Sequence, residues 1–503
     1  MEHQRPRARR VAQSGAAIPG AAPAGAQVPA DRHVPINELE DCGLKGQVAA
    51  EGAPQPRRLI VFIVSTFVSH IYGTMGLARR LQARGFRVEY WGERGCRRIV
   101  QGQGFAHHEL DSVWYCYEHT ALTGAGGLLR NPRSAVAKVL SLRARRRALG
   151  DALTSFEQSL ERQLARAAPA LTILDPMVIA YYPLLRARGL RCVALQDKPL
   201  PAADPLVPPP TSALVPRNTG PGRARIRARW LQERLTERVR RLGSRCLNRL
   251  GSYTTEQLVT AAQRRSGLAA EHLQARRRVA YELHFPGLEE WVLGAPEADF
   301  PRLHPLSPNI RYIGPCVDLQ RRQTIVPVAR APGTRYLIYI SMGTSVPHWS
   351  VDLALLRRMV AAFGGVAGLQ VMVALGNMRA RAELSSSFDN VHVFPFLPQL
   401  NVLGIADLAI THAGANAFRE CIATNTPMLA FPRALDQEGN AARIVYHGLG
   451  LRGSRLLDSV ASIRRKALHI LEDERFLMRV RRLNDSLDQS EQPLLDRALG
   501  ADR

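Results

Sequence analysis

Two trains of apolar runs alternate with amphipathic stretches along this chain. The first opens at "RRLIVFIVST" (57–66), a β-branched run without polar alternation. That is the pattern of a parallel strand buried on both faces. "GTMGLARRLQARG" then has helical spacing and stops at Gly85, and "FRVEYWG" (86–92) reads as a second strand. "LTILD" (171–175) and "RCVALQ" (191–196) are further strands with a helix between them. The second train is "RYLIYISMGTS" (335–345), "LQVMVALG" (369–376), "VHVFPF" (391–396), "ADLAIT" (406–411) and "PMLAFP" (427–432), again with helices between. Alternating strands and helices predict an α/β fold. Two such trains predict twin Rossmann-like domains facing across a cleft, with ligands at the carboxyl ends of the strands.

The segments between are equally readable. Residues 1–56 are rich in Ala, Pro, Gly and Arg and predict a disordered arm. A Pro-rich stretch from Asp197 to about residue 224 precedes "ARIRARWLQERLTERVRRLGSRCLNRL", where Ile226, Trp230, Leu231 and Leu235 recur near helical spacing. The expected division is an arm at 1–56, a first domain at 57–315, a linker at 316–334, a second domain at 335–480 and a helical tail at 481–503. Beyond the architectural duplication there is no internal repeat.

Length and composition agree with this. At 503 residues the chain exceeds one ordinary core, and 46% hydrophobic content suffices for globular domains. No apolar run reaches membrane-spanning length, and no apolar leader core follows the basic "MEHQRPRARRVAQSG", so a cytoplasmic protein is expected. The net charge of +25 is carried almost wholly by Arg, since Lys supplies four of the 68 basic residues. Such a charge draws a protein to polyanions or anionic membrane surfaces. A nucleic-acid binder, however, interleaves aromatics with basic clusters, and aromatics are only 6% here. No specific nucleic-acid partner is therefore expected. Seven scattered Cys without a CxxC pair predict reduced thiols rather than a disulfide frame or zinc site.

One stretch carries the candidate chemistry. "THAGANAFRE" (411–420) leaves an apolar strand through a turn nearly bare of side chains. A helix starting near Gly414 would bury Ala415, Phe418, Cys421 and Ile422, while His412, Asn416 and Glu420 recur every four residues along another face. Such a track is ~12 Å long, at 1.5 Å per residue. A helix N-terminus suits a phosphate, and small residues let a ligand approach the backbone. A plain strand–turn–helix would account for the turn alone.

Its surroundings decide between the two. Pro398-Gln399 precede it, Glu420 stands eight after His412, Pro427 and Pro432 fifteen and twenty after, and Asp436-Gln437 at twenty-four and twenty-five. This pattern resembles the donor-binding signature of the UDP-glycosyltransferase superfamily (family 1), which has the two-domain GT-B fold. The resemblance implies that Phe396 stacks on the nucleobase and Gln399 bonds to it. It implies that His412 and the amides from Gly414 to Asn416 hold the diphosphate. Glu420 would accept the ribose hydroxyls, and Asp436 and Gln437 would read the sugar. Thr344 and Ser345 resemble the family's hydroxyl-bearing loop near the phosphates. Ala417 stands where Ser or Thr is frequent, and Ala415 where plant members carry Trp.

His70, past the first strand, resembles the family's "GH-x-x-P" general base, with Ser69 for the usual Gly and Gly73 for the usual Pro. Imidazole has the right pKa for a base at neutral pH, and its cation needs a carboxylate partner. Asp175, ending the 171–175 strand at the same sheet edge, could reach it and matches the family's Asp. Asp175 could equally cap the following helix, with Pro176 at its first position. The resemblance implies an inverting enzyme without metal or cofactor, a nucleoside diphosphate sugar being its co-substrate.

The acceptor is less defined. "YYP" (181–183), "WYCYEH" (114–119) and the Pro-rich 199–216 loop are candidates for an apolar pocket. "APEADFPRLHPLSPNIRYIGP" (295–315) resembles the stretch before the linker in carotenoid and other bacterial glycosyltransferases. With the Arg-rich stretch at 223–250, this points to a small lipophilic acceptor and leaves open peripheral contact with the inner face of a membrane. A solvated basic face is the plainer reading of that helix. Transfer to a lipid-linked intermediate, or an inactive homologue acting as a partner subunit, are the alternatives.

Overall fold

Nearly every apolar run named above becomes a strand in the computed structural model, which describes residues 58–111, 150–249, 255–269, 275–279, 282–323, 328–343, 352–376, 384 and 388–500. The first half runs β1 (Leu59–Val64), α1 (Val68–Ala83), β2 (Arg87–Gly92), α2 (Arg97–Gly102), β3 (Ala106–Glu109), β4 (Leu171–Leu174), α3 (Tyr182–Ala187) and β5 (Cys192–Gln196). Next come α4 (Gly220–Arg249), α5 (Thr255–Ser266), a β6–β7 hairpin (Arg276–Val279, Glu282–His284), β8 (Glu289–Val292) and β9 (Ile310–Tyr312). The sheet order is β3-β2-β1-β4-β5-β8-β9, parallel throughout. All six residues of β1 are buried because the sheet is covered on both faces. Leu59, Val61 and Ile63 enter one core, and Ile60, Phe62 and Val64 the other, the period-two alternation of a strand.

The second half repeats the scheme. It holds β10 (Tyr336–Ser341), α6 (Leu353–Phe363), β11 (Leu369–Ala374), β12 (Val391–Phe394), α7 (Gln399–Leu403) and β13 (Leu408–Thr411). It continues with α8 (Ala415–Ala423), β14 (Met428–Ala430), α9 (Gln437–Tyr446), β15 (Gly450–Arg452), α10 (Val460–Glu472) and α11 (Glu474–Gly500). This sheet is also parallel, in the order β12-β11-β10-β13-β14-β15.

Three segments depart from expectation. The expected break at 480/481 falls inside α11, one continuous helix. Val480, Leu483 and Leu487 of α11 pack into the second half's core, and Leu495 and Ala498 into the first half's. The 316–334 stretch begins as a strap rather than a free connector. Cys316 is fully buried, Arg79 of α1 pairs with Asp318 at 2.8 Å, and a Cβ on Gly76 would meet the Cys316 carbonyl at 1.7 Å. Tyr181 and Tyr182 belong to the first half's core. They are buried against Phe156 and Phe285, with ring centroids 4.1 and 5.1 Å apart. The Pro-rich loop reaches the second half, where Gly439 N donates to Pro210 O at 2.8 Å. "WYCYEH" lies outside the described residues.

Candidate active site

In a parallel sheet, strand order reverses at one gap, and the loops leaving the two flanking strands diverge to form a crevice. In the first sheet that gap lies between β1 and β4. The chain leaving β1 starts α1 at Val68, so His70 stands in the first helical turn and not in a loop. The chain leaving β4 presents Asp175. His70 Nδ1 and Asp175 Oδ1 are 2.8 Å apart, and both residues are buried. The other carboxylate oxygen accepts from Ser65 N (3.0 Å) and Ser65 Oγ (2.6 Å), while Met177 N donates to Oδ1 (2.9 Å). Asp175 thus closes the turn after its own strand and orients His70 as well. An ionised carboxylate only accepts, so Nδ1 carries the proton and Nε2 keeps its lone pair.

Electrostatics follow from this packing. Burial acts to lower the His70 pKa, but Asp175 and the nearby Asp197 outweigh it and hold it above the ordinary 6.5. Asp197 lies 3.9 Å from Nδ1 and is paired with Lys198 at 3.1 Å. Burial also opposes ionisation of Asp175, but His70 and the surrounding donors hold it well below the usual carboxylate range. The pair therefore rests ionised on its acid side and becomes a neutral imidazole beside a carboxylate as pH rises.

The second sheet reverses between β10 and β13. Gly343 follows β10, and His412, Ala413 and Gly414 follow β13. His412 precedes the helix, because Gly414 is the N-cap of α8. Only Asn416 and Glu420 therefore share the helical track expected of all three. The bareness of the turn has a concrete cause: a Cβ on Gly343 would sit 2.6 Å from the His412 ring, and one on Gly414 2.5 Å from its Nε2. The room the glycines leave is taken by the protein's own imidazole. Ala413 has φ of 61°, a left-handed backbone uncommon for a residue with a side chain. Asn440 Nδ2 clamps its carbonyl at 2.9 Å. Burial pushes His412 down to about 4, so it is neutral at pH 7, and its buried Nδ1 has no protein partner. No side chain caps the first turn of α8, leaving its amides open to an anion.

The remaining predicted residues gather around this helix. Asn416 Nδ2 donates to Ser69 O at 2.6 Å, bridging α8 to the start of α1. Its Oδ1 accepts from Arg419, and a Cβ on Gly73 would stand 3.0 Å from it, so Gly73 makes room for Asn416. Glu420 is buried and doubly held, by Arg321 Nη1 (2.7 Å) and Gln399 Nε2 (2.6 Å). Phe396 is 57% exposed, so it is no core residue. Asp436 is buried, accepts from Asn440 Nδ2 (3.1 Å), and is pushed up to about 6 by burial, with Asp197 adding to the shift. Gln437 accepts from the amides of Arg433 (2.9 Å) and Ala434 (3.2 Å), bracing the turn before α9. Of the residues the helix was expected to bury, Phe418, Cys421 and Ile422 are buried and Ala415 is only half-buried. Thr344 and Ser345 lie outside the described residues.

Sequence reasoning missed Asp197, Lys198 and Arg321. The "QDK" after β5 stands at the same carboxyl edge as Asp175, so strand-end position could have found the first two. Arg321 had no local signal, because its partner Glu420 is 99 residues away. A second missed feature is Asp299, whose carboxylate takes Arg443 Nη2 at 2.5 Å and ties the stretch before the linker to α9.

Residues 359–474 match the glycosyltransferase family 28 C-terminal domain. The zeaxanthin glucosyltransferase of Pantoea ananas is 26% identical over 84% of this chain and 91% of its own length. The oleandomycin glycosyltransferase of Streptomyces antibioticus is 35% identical, over 32% of this chain and 36% of its own. Among solved structures, the kitacinnamycin glycotransferase superposes with a TM-score of 0.60 at 19% identity, over 86% of this chain and 96% of that one, a likeness of fold. With two parallel sheets whose reversal points carry the signature residues, the chain has the GT-B fold and resembles the bacterial family 1 glycosyltransferases, carotenoid and natural-product enzymes among them.

Proposed function

We propose that this glycosyltransferase moves a hexose from a nucleoside diphosphate sugar, with UDP as the nucleotide, to a hydroxyl of a small hydrophobic acceptor, inverting the anomeric carbon. The observation that carries the reading is the buried His70–Asp175 pair, 2.8 Å apart at the first sheet's reversal point. His70 Nε2 takes the acceptor's hydroxyl proton as that oxygen forms its bond to the anomeric carbon. The bond from that carbon to the diphosphate breaks on the opposite face. Asp175, locked by Ser65 and Met177, holds the ring in the right tautomer and stabilises the imidazolium. The departing diphosphate carries its charge to the open amides of α8 and to the neutral His412.

In the same reading Phe396 is the platform for the nucleobase, Gln399 bonds its edge, and Glu420 takes the ribose hydroxyls. Gly414 and Asn416 give backbone amides, Thr344 and Ser345 hydroxyls to the phosphates, and Asp436 and Gln437 meet the sugar. A carboxylate has about four lone-pair sites. Glu420 can therefore accept ribose hydroxyls while keeping Arg321. The hydrophobic acceptor is supported by the near-full-length likeness to an enzyme named for zeaxanthin.

The test is purified His70→Ala protein against UDP-, TDP- and GDP-sugars. Transfer and donor hydrolysis should vanish while UDP affinity by calorimetry stays unchanged. Retained turnover would remove His70 as base; absence of nucleotide binding by the unmodified protein would remove the donor reading.

A further inference from the structure

Helix α4 shows an unusual arrangement of its side chains. At ~100° per residue, Ile226, Trp230, Glu233 and Glu237 fall on one face. Ile226 and Trp230 are buried with Val279, and Glu237 is buried too. That face is anchored: Trp230 Nε1 donates to Val207 O at 2.8 Å, and Thr211 Oγ1 donates to Glu233. Leu231, Leu235, Val239 and Leu242 fall on the opposite face, about 165° away by the same count. They are 56%, 49%, 69% and 59% exposed. Solvated helix faces are polar, so four aliphatic side chains in one row facing water need an occupant.

The flanks say which. Arg227, Arg234 and Arg238 border the row on one side, Arg225 and Arg229 on the other, and all five are exposed. The helix sequence holds ten Arg and two Glu. An apolar stripe between two basic borders is the profile of a helix lying in a bilayer interface. The aliphatic row enters the acyl boundary, and the arginine stems lie along it with guanidinium groups at lipid phosphates. Nucleic acid would use the charges but leave the leucines in water. A second copy would bring arginine against arginine.

We propose that α4 docks this protein on a bilayer of anionic phospholipid through Leu231, Leu235, Val239 and Leu242, with the flanking arginines on lipid phosphates. The buried face, fixed through Trp230 to the Pro-rich loop that leaves Asp197 beside His70, then ties the docked helix to the catalytic cleft. The docking itself does not depend on which sugar or acceptor is used.

Flotation of the full chain with vesicles tests it. The protein should float with phosphatidylcholine–phosphatidylglycerol vesicles, much less with phosphatidylcholine alone, and less as salt rises. Replacing Leu231, Leu235 and Val239 together by Ser should lower partitioning at least tenfold, although the basic stretch "RPRARR" near the N-terminus is intact. Arg227→Gln, Arg234→Gln and Arg238→Gln should each lower it about fivefold on anionic vesicles. Unchanged binding by the serine variant would overturn the proposal and assign any attachment to the arm or diffuse charge. A concentration-dependent dimer dissolved by the serine changes, without vesicle binding, would overturn it in favour of a second copy. Binding of duplex DNA that competes vesicles away from the serine variant as well would also overturn it.

Discussion

In the proposed reaction, two single residues, His70 and Asp175, set the chemistry. Two carboxylates hold the imidazole pKa above 6.5, so at lower pH the ring is protonated and cannot take a proton. The acid limb of kcat/KM, which reports the free enzyme, should therefore lie above pH 6.5. Asp175→Asn should move that limb down and lower kcat by ~10²-fold or more, since the ring loses its tautomer control. A limb that stays in place would separate Asp175 from His70 in function. Glu420 calls for a similarly careful substitution. Glu420→Ala would strand buried Arg321, and breaking a buried ion pair costs about 3–5 kcal/mol. Glu420→Gln fills the same volume, and in calorimetry it should weaken UDP binding by about tenfold, roughly 1.4 kcal/mol. Asp436 is pushed up to about 6 against an ordinary 3.8. A raised carboxyl pKa favours the protonated form in the folded state, so its destabilisation grows as pH rises from about 4 through 6. Asp436→Asn should therefore raise the melting temperature at neutral pH, by about 1–3 kcal/mol of stability, while lowering transfer. The gain should vanish near pH 4.

At the scale of elements, the turn after β13 is a fitted part. Its Gly414, with Gly343 after β10, gives His412 the space it occupies, and Ala413 bends through a left-handed conformation to deliver the chain into α8. Gly414→Ala places a carbon 2.5 Å from the ring, so the imidazole must move. Stability should fall by about 1–3 kcal/mol, the cost typical of overpacking. Donor affinity should fall with it, measured by calorimetry. Gly76 is a harsher case: its Cβ would meet a backbone carbonyl that cannot rotate away, so Gly76→Ala should displace the strap at Cys316. Hydrogen exchange at 316–323 would report that displacement directly. The helix period and strand alternation that marked these elements came from burial of apolar side chains. Backbone strain and ring packing leave no such period.

Across the whole molecule, buried links among the described residues join the two sheets. Helix α11 passes from one core to the other, and Leu495→Ala, in the first half's core, should cost about 2–5 kcal/mol. Denaturation followed by probes in either half should show it. Asp299 and Arg443 form a buried pair between the stretch before the linker and α9. Asp299→Ala alone should destabilise by about 3–5 kcal/mol, and replacing both residues with apolar ones by much less, because the cost is the stranded guanidinium. Asn416 on Ser69 O adds a direct contact between the helices that start at the two reversal points.

The sequence by itself determined the strand–helix alternation, the α/β class and the neighbourhood of the proposed chemistry. Apolar periodicity within ten residues encodes the first two, and the spacing of His412, Glu420 and Asp436-Gln437 encodes the third. Only the tertiary structure decided the partners. That Glu420 meets Arg321, that Asp197 stands 3.9 Å from His70, and that four aliphatic residues of α4 face outward depend on strand order and loop path. Those relations join residues far apart in the chain, where burial and charge act through space and no local pattern records them.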